Sequence, residues 1–136
     1  MAKVIRRLIE LFARLGIIGG HTKLVYTGEL FSLNQLYSSG HWRTRSNLKK
    51  KYREIFGSLI KEYNPVKKNK FSLIIFYNSR HDPDNITGME KMFTDVLKTE
   101  GVIIDDSKKY YKLYCVVPDS SLPKDTLNFY LIDNGN

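Results

Sequence analysis

The sequence predicts a single small α/β domain, a mixed sheet with flanking helices. Three observations predict it. Apolar residues recur at helical spacing around residues 46–60 and 89–97, a nearly unbroken apolar run at 71–77 has the pattern of a strand covered on both faces, and helices alternate with strands along the chain. No internal repeat, low-complexity tract or domain linker interrupts the 136 residues, a length at which one domain buries about two-thirds of its unfolded surface.

Taken in order, residues 1–20 form an amphipathic N-terminal extension, with Lys3, Arg6 and Arg7 ahead of Leu8, Ile9, Leu11 and Phe12. Glu10 and Arg14 interrupt the apolar stretch and no small-x-small cleavage site follows, so a helix ending at Gly19 and Gly20 fits better than a signal peptide. The domain proper is expected over 21–136. Residues 23–33 alternate loosely, a first strand with a bulge or turn at Gly28. From Ser46, the positions Leu48, Tyr52, Ile55, Phe56, Leu59 and Ile60 mark a helix that stops before Pro65. After the 71–77 strand and a polar segment, Met89, Phe93, Val96 and Leu97 share a helical face, with Thr87 and Glu90 at capping-box spacing and Gly101 as the stop. Val102, Ile103 and Ile104 lead into Asp105 and Asp106, and two further strands are expected at 109–117 and 126–132, joined by a turn over 118–123.

Charge narrows the partners. The 22 Lys plus Arg outnumber the 14 Asp plus Glu, giving a formal +8, which favours a polyanionic partner. The single Cys115 excludes an intramolecular disulfide framework and a multi-cysteine zinc site, so a reducing, cytoplasmic compartment is expected. No apolar run reaches transmembrane length and no membrane partner is expected. Ser-His-Asp order, glycine-rich phosphate loops and Cys-His zinc spacing are absent from the sequence.

The chemistry-bearing segment is His81-Asp82-Pro83-Asp84-Asn85, between the buried strand and the next helix. Pro83 disfavours helical geometry at Asp82, and in extended backbone Asp82 and Asp84 project to one side. Two such carboxylates repel, and a proton or a cation relieves the pair; hard oxygen donors select magnesium, with manganese as a substitute. About twenty residues on, Asp105 and Asp106 end a second apolar segment; if it is extended they face opposite ways, which favours Asp106 as the third carboxylate. Asp105 is then a supporting group, an alternative ligand or a solvated charge. A turn and helix cap is the alternative for Asp-Pro-Asp-Asn taken alone. His81 fits a turn histidine bonded locally better than a ligand.

The order of His81-Asp82-Pro83-Asp84-Asn85, a helix, and Gly101-Val102-Ile103-Ile104-Asp105-Asp106-Ser107 resembles the RusA endodeoxyribonucleases. Phe31-Ser32-Leu33-Asn34-Gln35-Leu36-Tyr37 and the basic helix after Trp42 are similar to that family's opening strand and helix, so the resemblance runs over about 24–131. It implies a homodimeric Holliday-junction resolvase that cuts branched DNA with magnesium, and Asp82, Asp84 and Asp106 match the family's acidic positions. The sequence departs where the family carries a catalytic lysine three residues after the asparagine: Gly88 stands there, and Lys91 lies three residues farther on. Residues three apart are helix neighbours, so Lys91 can reach the same phosphate, a solvated helix charge being the other reading.

Arg43, Arg45, Lys49, Lys50, Lys51, Arg53, Lys67, Lys68 and Lys70 are the expected phosphate contacts flanking the acidic centre. Among the aromatics, Tyr37 and Trp42 are candidates to support branch-point bases, and Tyr52 is expected in the core. A catalytically inactive branched-DNA-binding protein and a less selective flap or branch nuclease are the competing functions.

Overall fold

A computed structural model describes residues 1–31 and 42–135, without the side chains of Trp42, Arg43 and Thr44. The expected elements at Tyr37 and the side chains of Trp42 and Arg43 therefore lie outside the described residues. The order is α1 (Ala2–Arg14), β1 (Gly20–Thr27), α2 (Trp42–Tyr63), β2 (Phe71–Asn78), a 3-10 turn (Pro83–Ile86), α3 (Thr87–Thr99), β3 (Tyr111–Pro118) and β4 (Thr126–Asp133).

The four strands form one mixed sheet in the order β1-β4-β2-β3. β4 runs antiparallel to both its neighbours, while β2 and β3 are parallel, with Phe71 beside Tyr111 and Tyr77 beside Pro118. That parallel pair demands a crossover, which α3 supplies. β2 and β4 are the inner strands and are buried along nearly their whole length, as the unbroken apolar run of β2 leads one to expect.

Side chains of the sheet divide by parity. Leu24, Leu73, Ile75, Leu127, Phe129 and Leu131 pack with Tyr52, Phe56, Met89, Phe93 and Leu97 of α2 and α3 into the principal core. Ile74, Phe76, Tyr130 and Ile132 face the other way, onto Ala2 and Ile9 of α1. The N-terminal extension is thus the cover of the sheet's second face. Arg6 pairs with Asp119, which is 7% exposed and also accepts from the Ser121 hydroxyl and N–H, and the Arg6 guanidinium lies 4.3 Å from the centre of the Phe76 ring.

Several boundaries differ from expectation. α1 ends at Arg14 because Gly16, at φ +73°, lets the Gly16 and Ile17 amides reach back to Ala13 and Phe12. Gly101, at φ +75°, ends α3 in the same manner, as expected. β1 stops at Thr27, before Gly28, and α2 begins at Trp42, four residues ahead of Ser46. The 102–106 segment is not a strand: Ile103 makes an isolated bridge to Lys68, and the chain then turns toward β3. No helix among the described residues is long and apolar enough to cross a membrane.

Candidate acidic site and basic groove

At the end of β2 the backbone is shaped locally. The Tyr77 hydroxyl donates to the His81 carbonyl at 2.9 Å, and Ser79 Oγ lies 3.2 Å from His81 Nδ1 while accepting the His81 N–H. His81 is therefore engaged in its own turn. Asp82 is extended (φ −73°, ψ 157°), as Pro83 requires, and its carbonyl accepts the Asn85 N–H to open the 3-10 turn. Asp84 sits inside that turn, so the expected extended Asp-x-Asp geometry is not what pairs the two residues. Both carboxylates are exposed, and both fields act on Tyr77, whose hydroxyl is raised first by burial and then by Asp82 and Asp84. Ile86, fully buried, anchors the turn to the core.

The Thr87–Glu90 capping box does not form, because the 3-10 turn runs directly into α3 and no side chain caps it. Glu90 instead points inward: it is 6% exposed and accepts a 2.9 Å hydrogen bond from the Tyr111 hydroxyl. Burial raises its proton affinity; Tyr111 and Lys91 oppose the shift, and Asp106 adds to it. Between its ordinary value of 4.5 and the raised folded value, the folded chain holds a proton that the unfolded chain has lost. Its contribution to stability is thus full below the ordinary value and lost as pH rises through the raised one. Glu90→Gln keeps an acceptor for Tyr111 without the charge. It is expected to melt above the wild type at pH 8, with the difference closing toward pH 4; parallel melting curves across that range would show that Glu90 is not desolvated.

Asp105 lies at the other end of α3, while Asp106 beside it acts on residues along the helix as far as Glu90 in its first turn. Lys98, in the last turn, holds Asp105 at 2.9 Å, and this hydrogen bond, with the Asp106 N–H, depresses the Asp105 carboxyl. Thr87 to Lys98 spans about 16 Å of helix, which separates the Asp105 end from the Asp82–Asp84 turn. Asp106 acts on Glu90, Tyr111 and Asp95. Among the described residues, no three His, Cys, Asp or Glu side chains stand together to hold a metal ion. The structure thus leaves Asp82 and Asp84 as neighbours on one exposed turn, both acting on Tyr77, and does not gather Asp106 with them into a group of three. Two carboxylates suffice for magnesium, which keeps water and substrate phosphate in its remaining positions.

Lys91 is exposed on α3, one turn before Asp95, so both belong to the side that carries Lys98. Asp95 was not anticipated as a site residue. Its proton affinity is raised by partial burial and by Asp106, and lowered by Arg53 and Lys49 from the neighbouring α2. The readable signal was its spacing of four from Lys91 and three from Lys98, which puts it on the same exposed side.

The basic residues divide. Arg45, Lys49 and Arg53, spaced four apart on α2, line with Ser46 a groove of about 310 Å³ beside Asp95. Lys50 is exposed, and Lys51 is paired with Glu29 at 2.9 Å. Lys67, Lys68 and Lys70 precede β2, about 25 Å of strand away from the Asp82–Asp84 turn. Lys68 is 7% exposed, with its ammonium depressed by burial, and so is not a surface phosphate contact. Tyr52 is 1% exposed, a core residue as expected.

The chain matches no family model and no curated protein.

Proposed function

We propose that this protein is a magnesium-dependent, structure-selective DNA endonuclease that resolves Holliday junctions or related branched DNA by phosphodiester hydrolysis. The observation that supports it best is the exposed carboxylate pair Asp82 and Asp84 at the head of α3, a helix whose Asp95 is faced by Lys49 and Arg53 of the basic row on α2. Asp82 and Asp84 would hold the ion, and manganese would substitute for it. When bound, the ion supplies an activated water and charge neutralisation at the phosphate. Lys91, exposed on α3, would neutralise the same phosphate, while Arg45, Lys49 and Arg53 would take the flanking ones. Asp106 and Asp105 belong to the proposal as a second acidic group rather than as ligands shared with the first pair. The resemblance to RusA endonucleases supports the junction as substrate, and a two-fold homodimer would set two such sites against opposing strands of a four-way junction.

Cleavage of junction, flap, linear duplex and single-stranded DNA, with magnesium or with chelator, tests the proposal. The expected result is magnesium-dependent cutting of opposed strands of the junction. Binding without cleavage identifies an inactive branched-DNA-binding protein; equal cutting of flaps identifies a less selective nuclease. On the DNA side, Lys49→Ala and Arg53→Ala are each expected to weaken binding at all sequences and to reduce the salt dependence by about one phosphate contact. Lys67→Ala and Lys70→Ala are expected to leave both unchanged. The reverse pattern in a salt titration moves the DNA path to the other end of β2.

A further inference from the structure

Helix α1 is fixed against the sheet by one side and offers a second apolar side to solvent. Ala2 and Ile9 are buried, and Arg6 is pinned by Asp119 and Phe76. Facing outward are Val4, Leu8, Leu11 and Leu15, at 56%, 42%, 39% and 64% exposure. Their spacing of four, three and four is the seam spacing with which one helix packs along another. Phe12 and Ile17, also exposed, carry the apolar surface into a groove of about 490 Å³, whose far wall is the open edge of the sheet at Leu113 and Cys115. Single exposed apolar residues are ordinary, but a contiguous patch on a helix locked in place marks an interaction surface. Arg7 and Arg14 border the seam; both are exposed and neither enters a salt bridge among the described residues.

We propose that α1 and this groove dock an amphipathic helix of another protein, one with an apolar seam flanked by Asp or Glu. Charge and shape select that occupant. Along that flank exposed Lys3, Arg7 and Arg14 outnumber exposed Glu10, so a second copy in either direction sets net positive charge against net positive charge. A bilayer is flat and leaves the groove unfilled. An acidic-flanked helix seats apolar side chains in the groove and pairs with both arginines. The proposal is independent of the nuclease activity.

Two synthetic peptides of about three heptads, with Leu at the seam and either Glu or Lys at the flanks, serve as probes. They are titrated at low salt against the full-length chain carrying a fluorophore. The Glu peptide is expected to bind at least about tenfold more tightly than the Lys peptide, and to weaken as salt rises. Leu8→Glu is expected to weaken it about tenfold or more, and the double variant Arg7→Glu/Arg14→Glu to invert the preference. These three positions are exposed, and unchanged melting curves verify that each variant is folded. Equal binding of the two peptides, no binding of either, or indifference to Leu8→Glu overturns the proposal. So does a dimer in sedimentation equilibrium, or adhesion to phosphatidylglycerol vesicles, that Leu8→Glu abolishes, since either names a different occupant.

Discussion

Asp84→Asn and Asp82→Asn are each expected to lower magnesium-dependent junction cleavage by about a thousandfold while leaving junction affinity in chelator nearly unchanged. The magnitude follows from the work assigned to the pair. Charge stabilisation by a carboxylate-held ion amounts to several kcal/mol, and about 4 kcal/mol corresponds to three orders of magnitude in rate. Folding is expected to be indifferent, because both carboxylates are exposed on a turn that Ile86 anchors from below. Asp106→Asn makes the informative contrast. Its carboxylate acts on Asp95, Glu90 and Tyr111 and forms no group of three ligating side chains with Asp82 and Asp84. Single-turnover cleavage against magnesium concentration should therefore show a large rightward shift for the Asp82 and Asp84 variants and little shift for Asp106→Asn. An equal shift for all three would mean that the three carboxylates share one ion, as their sequence spacing first suggests.

The largest effect on stability is expected at Phe56. Its side chain is fully buried, with ring centres 5.6 Å from Tyr26, 5.7 Å from Phe93, 5.7 Å from Phe129 and 5.9 Å from Tyr52. It is the shared member of a cluster contributed by α2, α3, β1 and β4. Phe56→Ala removes those contacts and leaves a cavity that aromatic neighbours on four elements cannot close, at a cost of about 3–5 kcal/mol. For a domain this size that corresponds to a fall of roughly 10–20 °C in Tm and consumes much of an ordinary folding free energy. Urea unfolding with an unchanged slope and a lower midpoint is the expected signature. Phe56→Leu, which refills most of the volume, should cost less than half as much. Equal losses for Ala and Leu would assign the stability to ring–ring geometry instead of cavity volume.

The elements were legible to different degrees, for identifiable reasons. β2 announced itself because a strand buried on both faces has no polar positions to spare. The inward side of α3 was visible because Met89, Phe93, Val96 and Leu97 repeat at helical period, and Gly101 marked its end. Gly16 was the less obvious stop. Apolar residues continue past it at Ile17 and Ile18, so periodicity alone prolonged α1 toward Gly19. Glu90 looked like a capping residue because its distance from Thr87 is right, yet the 3-10 turn had already supplied the helix start, and Tyr111 from β3 drew the carboxylate inward.

The sequence by itself determined the alternation of helices and strands, the central place of β2, the break around Pro83 that carries Asp82 and Asp84 between β2 and α3, and the excess of positive charge. All of these are written in spacings of a few residues. Only the tertiary structure decided which charges share a surface. Lys49 and Arg53 came to lie beside Asp95, Lys68 was buried before β2, and Lys98 drew Asp105 to the far end of α3. The physical reason is that a carboxylate or an ammonium is selected by what faces it across the fold. Those neighbours arrive from elements far apart in the chain, through the parallel crossover and the packing of α2 on α3, which no local pattern encodes.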